Sequence, residues 1–161
     1  MRYVIHIIII FWPICLKAQT INYEQIALNH FMEKIFDLKY KKVKAIEFSG
    51  FTEKVLTKAR YGNDCFDDSS RIRMSLIRNA EDKIVPMKKI EISSNYNINI
   101  KGINMRNSKR FKLRITCVNH LVNNSYVGIE MLKLNSHIDT FLIEIDKKGN
   151  ILRWCETGAV F

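Results

Sequence analysis

The chain changes its hydrophobic rhythm once, from a helical period in its first third to strict alternation in its second half. Between Ile21 and Tyr40, apolar residues recur at helical spacing: Tyr23, Ala27, Phe31, Ile35 and Leu38, widened by Leu28, Met32 and Phe36. Asn22 suits an N-cap, Gln25 stands at N3 of a capping-box-like pair, and Ile21 and Ile26 hold the hydrophobic-staple positions. Glu24 near the start and Lys39, Lys41 and Lys42 near the end complement the helix dipole. The pattern predicts an amphipathic, core-packing helix over 21–40.

From Lys89 onward the period is two. Ile90 and Ile92 flank Glu91, and Tyr96, Ile98 and Ile100 alternate with Asn97, Asn99 and Lys101. Phe111, Leu113, Ile115 and Cys117 alternate with Lys112, Arg114 and Thr116. Val127, Ile129 and Met131 follow the Asn123-Asn124-Ser125 turn, and Phe141, Ile143 and Ile145 form the next strand. Asp146-Lys147-Lys148-Gly149-Asn150 reads as a tight hairpin with Gly149 at positive φ, leading into a last strand from Ile151 to Cys155. Strands with one apolar and one polar face make a sheet covered on one side, and the helix is its cover. The fold class is α+β: an N-terminal amphipathic helix on a curved antiparallel β-meander, in general picture cystatin-like or NTF2-like. That analogy carries no function.

The segment between helix and meander reads less clearly. A short strand is expected over 43–51, and 52–59 suits a helical turn or a second strand. Gly62, Asn63, Asp64, Asp67 and Asp68 make 61–70 a loop. Residues 71–78 fit a strand through Ile72, Met74 and Leu76, or a helix through Ile72, Leu76, Ile77 and Ala80 capped by Ser70. Both readings stay open.

Met1 to Gln19 has a different character. Arg2 gives a positive start, Tyr3 to Leu16 is almost wholly apolar, and Leu16-Lys17-Ala18 ends in a small residue before a cut. That order is a secretory signal peptide. The apolar run, interrupted by Pro13, falls short of the roughly 20 residues a membrane span needs, so an uncleaved anchor is the lesser alternative. Cys15 follows Trp12-Pro13-Ile14, too bulky for a lipobox. Residues 1–18 are therefore expected to be removed, leaving 19–161 as a single α+β domain, a size that supports one core. No membrane span is expected after cleavage.

The net charge of +10 falls to +8 with Arg2 and Lys17 removed. A basic exported domain can meet nucleic acid, anionic lipid or polysaccharide, and the expected partner is an unidentified protein or an anionic polymer. Of the cysteines outside the signal, Cys117 shares the parity of the buried strand positions, which leaves Cys65 and Cys155 as the candidate disulfide. Closing that loop would contribute about 4 kcal/mol in the chain-entropy account.

Three groups of residues could carry chemistry. His137 and Asp139 point the same way at strand spacing, so the carboxylate could orient the imidazole for base catalysis; the bland reading is a solvated turn beside Asn135-Ser136. Asn63, Asp64, Asp67 and Asp68 could hold a hard cation but lack the alternation and closing Glu of a calcium loop. Lys101, Arg106, Lys109, Arg110, Lys112 and Arg114 could form a positive ribbon on the outward face of a hairpin, or a solvated edge that resists aggregation. That face lacks aromatic residues for stacking, so specific nucleic-acid recognition is not expected. His30 and His120 have no zinc-ligand spacing, and Gly-x-Ser-x-Gly and phosphate-binding glycine loops are absent. No metal or cofactor is called for.

Ala45-Ile46-Glu47-Phe48-Ser49-Gly50-Phe51-Thr52-Glu53-Lys54, the stretch from Ile138 to Cys155, and the Ala18-Gln19 junction resemble small uncharacterised exported proteins of Bacteroidota-type bacteria. The resemblance covers about a third of the chain and brings no activity with it. The sequence thus points to an exported, periplasmic or secreted binding or interaction module without catalysis. The alternatives are a hydrolase using His137 and Asp139, or a protein inhibitor or immunity-type partner.

Overall fold

A computed structural model describes residues 20–53, 86–102, 111–121, 123–133 and 137–160, with backbone alone at 137 and 157–160. One 17-residue helix, α1, runs through three segments, α-helical at Tyr23–His30, π-helical at Phe31–Phe36 and α-helical again at Asp37–Lys39. The strands are β1 (Ala45–Phe48), β2 (Asn99–Lys101), β3 (Phe111–Ile115), β4 (Asn119–Leu121), β5 (Asn124–Lys133), β6 (His137–Asp146) and β7 (Ile151–Val160). They form a seven-stranded sheet in the order β2-β1-β3-β5-β6-β7, with β4 also on β5. Residues 1–19, read as a signal peptide, and the open segment 54–85 lie outside the described residues.

Asn22 caps α1 as expected, its side-chain oxygen accepting from the Gln25 N–H at 3.1 Å. Gln25 does not close the box. Its amide instead imitates a strand, accepting from the Glu91 N–H at 3.1 Å and donating to the Glu91 carbonyl at 2.8 Å. The π-turn changes which residues face the sheet. Phe31, Met32, Ile35 and Phe36 are all buried, and Tyr40 follows them in, whereas Leu38 is 72% exposed. Straight α-helical spacing put Leu38 inside; a wider turn delays every residue after it.

Against this helix stand Ile46 and Phe48 of β1, Leu113 and Ile115 of β3, Val127, Ile129 and Met131 of β5, and Phe141, Ile143 and Ile145 of β6. These are the alternating positions the pattern assigned inward. At the helix start, Ile21 and Ile26 converge on Gly149, whose φ of +89° makes the β6–β7 hairpin. Asp146 holds that hairpin, its carboxylate accepting from the Lys148 and Asn150 N–H groups at 2.8 Å each.

Two expectations are corrected. The sheet is mixed and not an antiparallel meander: β1 runs parallel to both β2 and β3, while β3, β4, β5, β6 and β7 pair antiparallel. Alternation fixes a strand's faces but is blind to its direction. The second face is also not an open polar surface. Glu47, Lys112, Glu130, Thr140, Leu142 and Glu144 are all buried there.

Candidate functional site

Where α1 ends over β6 and β7, four polar groups meet. Asp139 on β6 is buried and accepts a hydrogen bond from the Tyr40 hydroxyl. Lys39 stands 3.6 Å from the same carboxylate oxygen and pairs with Glu156 of β7. Its ammonium also lies 5.3 Å from the Phe141 ring centroid, a cation–π contact. Burial and the Asp139 carboxylate push the Tyr40 phenol far above its ordinary range. Phe31, Phe36, Tyr40, Phe111 and Phe141 form the aromatic bed beneath, and Trp154 of β7 leans on Phe141 with centroids 6.3 Å apart.

The sequence put His137 and Asp139 in a solvated turn or a catalytic pair. Both belong to β6, opposite Val160 and Gly158. Asp139 is a buried staple between helix and sheet, and the His137 side chain lies outside the described atoms. Another histidine does meet a hydroxyl: His120 Nδ1 lies 2.9 Å from Ser125 Oγ. Ser125 is buried, and the His120 ring packs edge-on to Tyr23 at 5.4 Å. The contact ties β4 to β5 and to the helix start. His30 on α1 is lowered by burial and by Lys34.

Charges predicted to form a positive ribbon are interleaved with acids. Lys101 is opposite Glu47 in the β1–β2 register, and Lys112 is buried 4.0 Å from the same carboxylate. Arg114 stands opposite Glu130 and 3.3 Å from Glu53. Strand alternation had marked Lys112 and Arg114 as outward, and the neighbouring strands supplied counter-charges that a single strand's pattern does not reveal. Arg106, Lys109 and Arg110 lie outside the described residues, as do Asn63, Asp64, Asp67 and Asp68. Among the described residues, no three His, Cys, Asp or Glu side chains could hold a metal ion together, and no helix is long and apolar enough to cross a membrane.

Cys117 is a buried thiol 3.4 Å from the Thr52 hydroxyl, as its parity predicted. Cys155 stands on β7 opposite Leu142, and Cys65 lies outside the described residues.

Three carboxylates central to the structure escaped the sequence reading. Glu24, fully buried in the first turn of α1, accepts from Lys88 Nζ at 2.9 Å and from the Val118 N–H at 3.1 Å. Its position inside the apolar stripe, three and four residues before Ala27 and Leu28, was the available signal. Glu144 accepts from Asn124 and the Tyr126 hydroxyl at 2.6 Å each and pairs with Arg153. Burial alone would raise its pKa, but Tyr126, Arg153 and Asn124 together hold the carboxyl below its ordinary value. Glu47 sits between two lysine-bearing strands and shows only after strand order is known.

A cleft of about 580 Å³ opens between α1 and residues 91–94, lined by Gln25, Asn29, Glu91, Ile92, Ser93 and Ser94. Its central amide, Gln25, is already engaged with Glu91 and Asn29, and Glu91 pairs with Lys89 at 2.9 Å.

Exposed apolar side chains of the sheet lie elsewhere, on its outer strands: Ile100 of β2 at 42%, and two residues of β7. Among the described residues β7 pairs on one side only, with β6. It carries Leu152 at 51% and Trp154 at 42% exposure. No protein-family model, curated protein or solved structure matches the chain.

Proposed function

We propose that the chain is an exported, non-catalytic binding domain that recognises a protein partner by adding a strand to β7. The observation that carries this reading is β7, which among the described residues pairs only with β6 and leaves Leu152 and Trp154 exposed. Long apolar edges are templates for strand addition, in which main-chain hydrogen bonds give affinity and alternate side chains give specificity. Among the described residues, three buried carboxylates are committed to internal partners: Asp139 to Tyr40 and Lys39, Glu144 to Tyr126 and Arg153, Glu24 to Lys88 and Val118.

Export rests on the pattern of Met1–Gln19 and on the resemblance to small exported proteins of Bacteroidota-type bacteria. One long helix laid on a sheet keeps the cystatin-like or NTF2-like analogy as a description of shape alone. A Cys65–Cys155 bridge would anchor β7 covalently to the rest of the domain.

A photo-reactive residue at position 152 (Leu152→benzoylphenylalanine), irradiated in the producing cells, tests the edge. A covalent adduct heavier than the chain is expected; its absence overturns the binding reading. The intact mass of the same sample is expected to begin at Gln19, and a mass that includes residues 1–18 refutes cleavage.

A further inference from the structure

We infer that the turn at the end of α1 is a contact site for an anionic lipid surface. Leu38 enters the lipid interface, and Lys34, Lys41, Lys42 and Lys44 meet the headgroups. The site stands apart from β7 and from the partner proposed for it.

Among the described residues, Leu38 is the most exposed large apolar side chain at 72%, followed by Met87 at 70%. The charges beside them separate the two. Met87 is followed by Lys88 and Lys89, whose ammonium groups are paired with Glu24 and Glu91 at 2.9 Å each. Around Leu38 the lysines are free. Lys34, Lys41, Lys42 and Lys44 are all exposed, and among the described residues none makes a side-chain hydrogen bond or ion pair.

The backbone brings these cations together. The Tyr40 N–H closes α1 on the Phe36 carbonyl at 2.8 Å, and Tyr40 then leaves the helix at φ −115°, ψ 29°. Its carbonyl accepts from the Val43 N–H at 2.8 Å, which sets Lys41 and Lys42 at the two central positions of a tight turn. Beyond the turn, the Lys44 carbonyl accepts from the Asn99 N–H at 3.0 Å and ties the chain to β2. Leu38 stands four residues after Lys34 and three and four before Lys41 and Lys42, the spacing of neighbours on one helix face.

Two exposed acids share the stretch, Glu33 and Asp37. Burial first, and then these two carboxylates, raise the Tyr96 phenol above its ordinary value, which places both acids on the flank toward Tyr96. Four free lysines against them leave the turn net positive. Cations at a helix C-terminus complement its dipole, but the dipole gives no reason for an exposed leucine among them.

That leucine selects the partner. A linear polyanion would use the lysines alone, whereas at a bilayer the lysine stems reach the headgroups while an apolar side chain enters the acyl boundary. Near an anionic bilayer each lysine contributes about fivefold in affinity, and burial of a leucine about tenfold or more. The sum suits a reversible contact and not a fixed anchor.

Co-sedimentation of the purified chain with vesicles tests the site. Equal parts phosphatidylcholine and phosphatidylglycerol are compared with phosphatidylcholine alone, with every sample at the same state of residues 1–18 by intact mass. Binding is expected to be at least about tenfold tighter to the anionic vesicles and to weaken with added salt. Lys41→Gln, Lys42→Gln and Lys44→Gln together are expected to remove most of that preference. Leu38→Ser should weaken anionic binding about tenfold, and Met87→Ser should leave it unchanged. Circular dichroism separates loss of binding from loss of fold, and Leu38→Gln stands in if serine unsettles the helix. Equal binding to both vesicles, or a preference that survives the triple variant, overturns the inference. So does a Met87→Ser variant that weakens binding as much as Leu38→Ser. Loss in the triple variant with Leu38→Ser still binding like wild type identifies a charge-only contact for a polyanion and overturns the lipid assignment.

Discussion

Replacing Glu24 by Ala should cost more stability than any other single change in α1 that leaves the hydrophobic core intact. The carboxylate is fully buried and bridges three parts of the fold: the first turn of α1, Lys88, and the N–H of Val118 between β3 and β4. Each hydrogen bond to a charged group contributes about 1.5–3 kcal/mol, and an orphaned buried N–H costs about 1–3 kcal/mol. Lys88 is 41% exposed and regains water once released, which lowers the loss on its side. Together these give about 3 kcal/mol for Glu24→Ala. For Glu24→Gln about half of that is expected, because the amide oxygen still accepts from Val118 while its NH₂ faces the Lys88 ammonium. For a domain of this size each kcal/mol moves Tm by about 2–4 °C, so the alanine variant should melt about 10 °C lower. Thermal and urea unfolding measure both, and a double-mutant cycle with Lys88→Met should return a coupling of about 1 kcal/mol. A Glu24→Ala variant within about 0.5 kcal/mol of wild type, the range of ordinary surface changes, would refute the staple.

Glu144 gives the fold a specific acid sensitivity. Its folded pKa lies below the ordinary 4.5, so its contribution is complete above the unfolded value and is lost as pH falls through the folded one. The stability gap between wild type and Glu144→Gln should be constant from neutral pH down to about 5 and shrink steadily below 4.5; a gap that grows on acidification would invert the sign and defeat the assignment. Gly149→Ala places a Cβ 3.1 Å from Ile26 Cδ1 at a φ of +89°, and left-handed backbone costs a non-glycine residue about 1–2 kcal/mol. Urea unfolding should show a loss of that order, and an unchanged midpoint would mean that the hairpin does not hold the helix start.

What local rules govern was legible in the sequence. The Asn22 cap, the inward parity of Leu113, Ile115, Val127, Ile129, Ile143 and Ile145, the Gly149 turn and the buried Cys117 each depend on a few neighbouring residues. The direction and order of strands depend on pairings far apart in the chain, and there the reading failed: β1 inserts parallel between β2 and β3, and no alternation within Ala45–Phe48 reports that. Leu38, assigned inward, is exposed because a π-turn shifts the phase of a helix without leaving a mark in its composition. The charged ribbon was misjudged for a similar reason. Lys112 and Arg114 were assigned to the correct face, but the acids beside them come from Glu47, Glu53 and Glu130, on other segments. Trp154 drew no reading from the sequence, because the exposure of one aromatic depends on which strands lie beside its own, and no local pattern gives that.

The distribution of charge across the sheet bears on the proposed function more directly than any single residue. Sheets ordinarily keep their charges at the edges, where they deter unwanted pairing, and their apolar side chains on interior strands. In this sheet Glu47, Lys112, Glu130 and Glu144 sit on β1, β3, β5 and β6, all interior and all buried. Their cross-strand partners, Lys112 opposite Glu47, Arg114 opposite Glu130 and Arg153 opposite Glu144, act as rungs: a one-residue slip would turn each charge into the apolar face against α1. The rungs set the register across the interior strands, and at Glu144–Arg153 β7 bulges by one residue, Leu152. β7 itself carries Arg153 and Glu156 beside Leu152 and Trp154, so on the reading proposed above its exposed apolar side chains would give a partner its contacts while the charges between them would set its register. Buried charge and exposed indole thus divide the sheet: the interior rungs commit polar residues to register, and the proposed partner contact falls on β7, outside them.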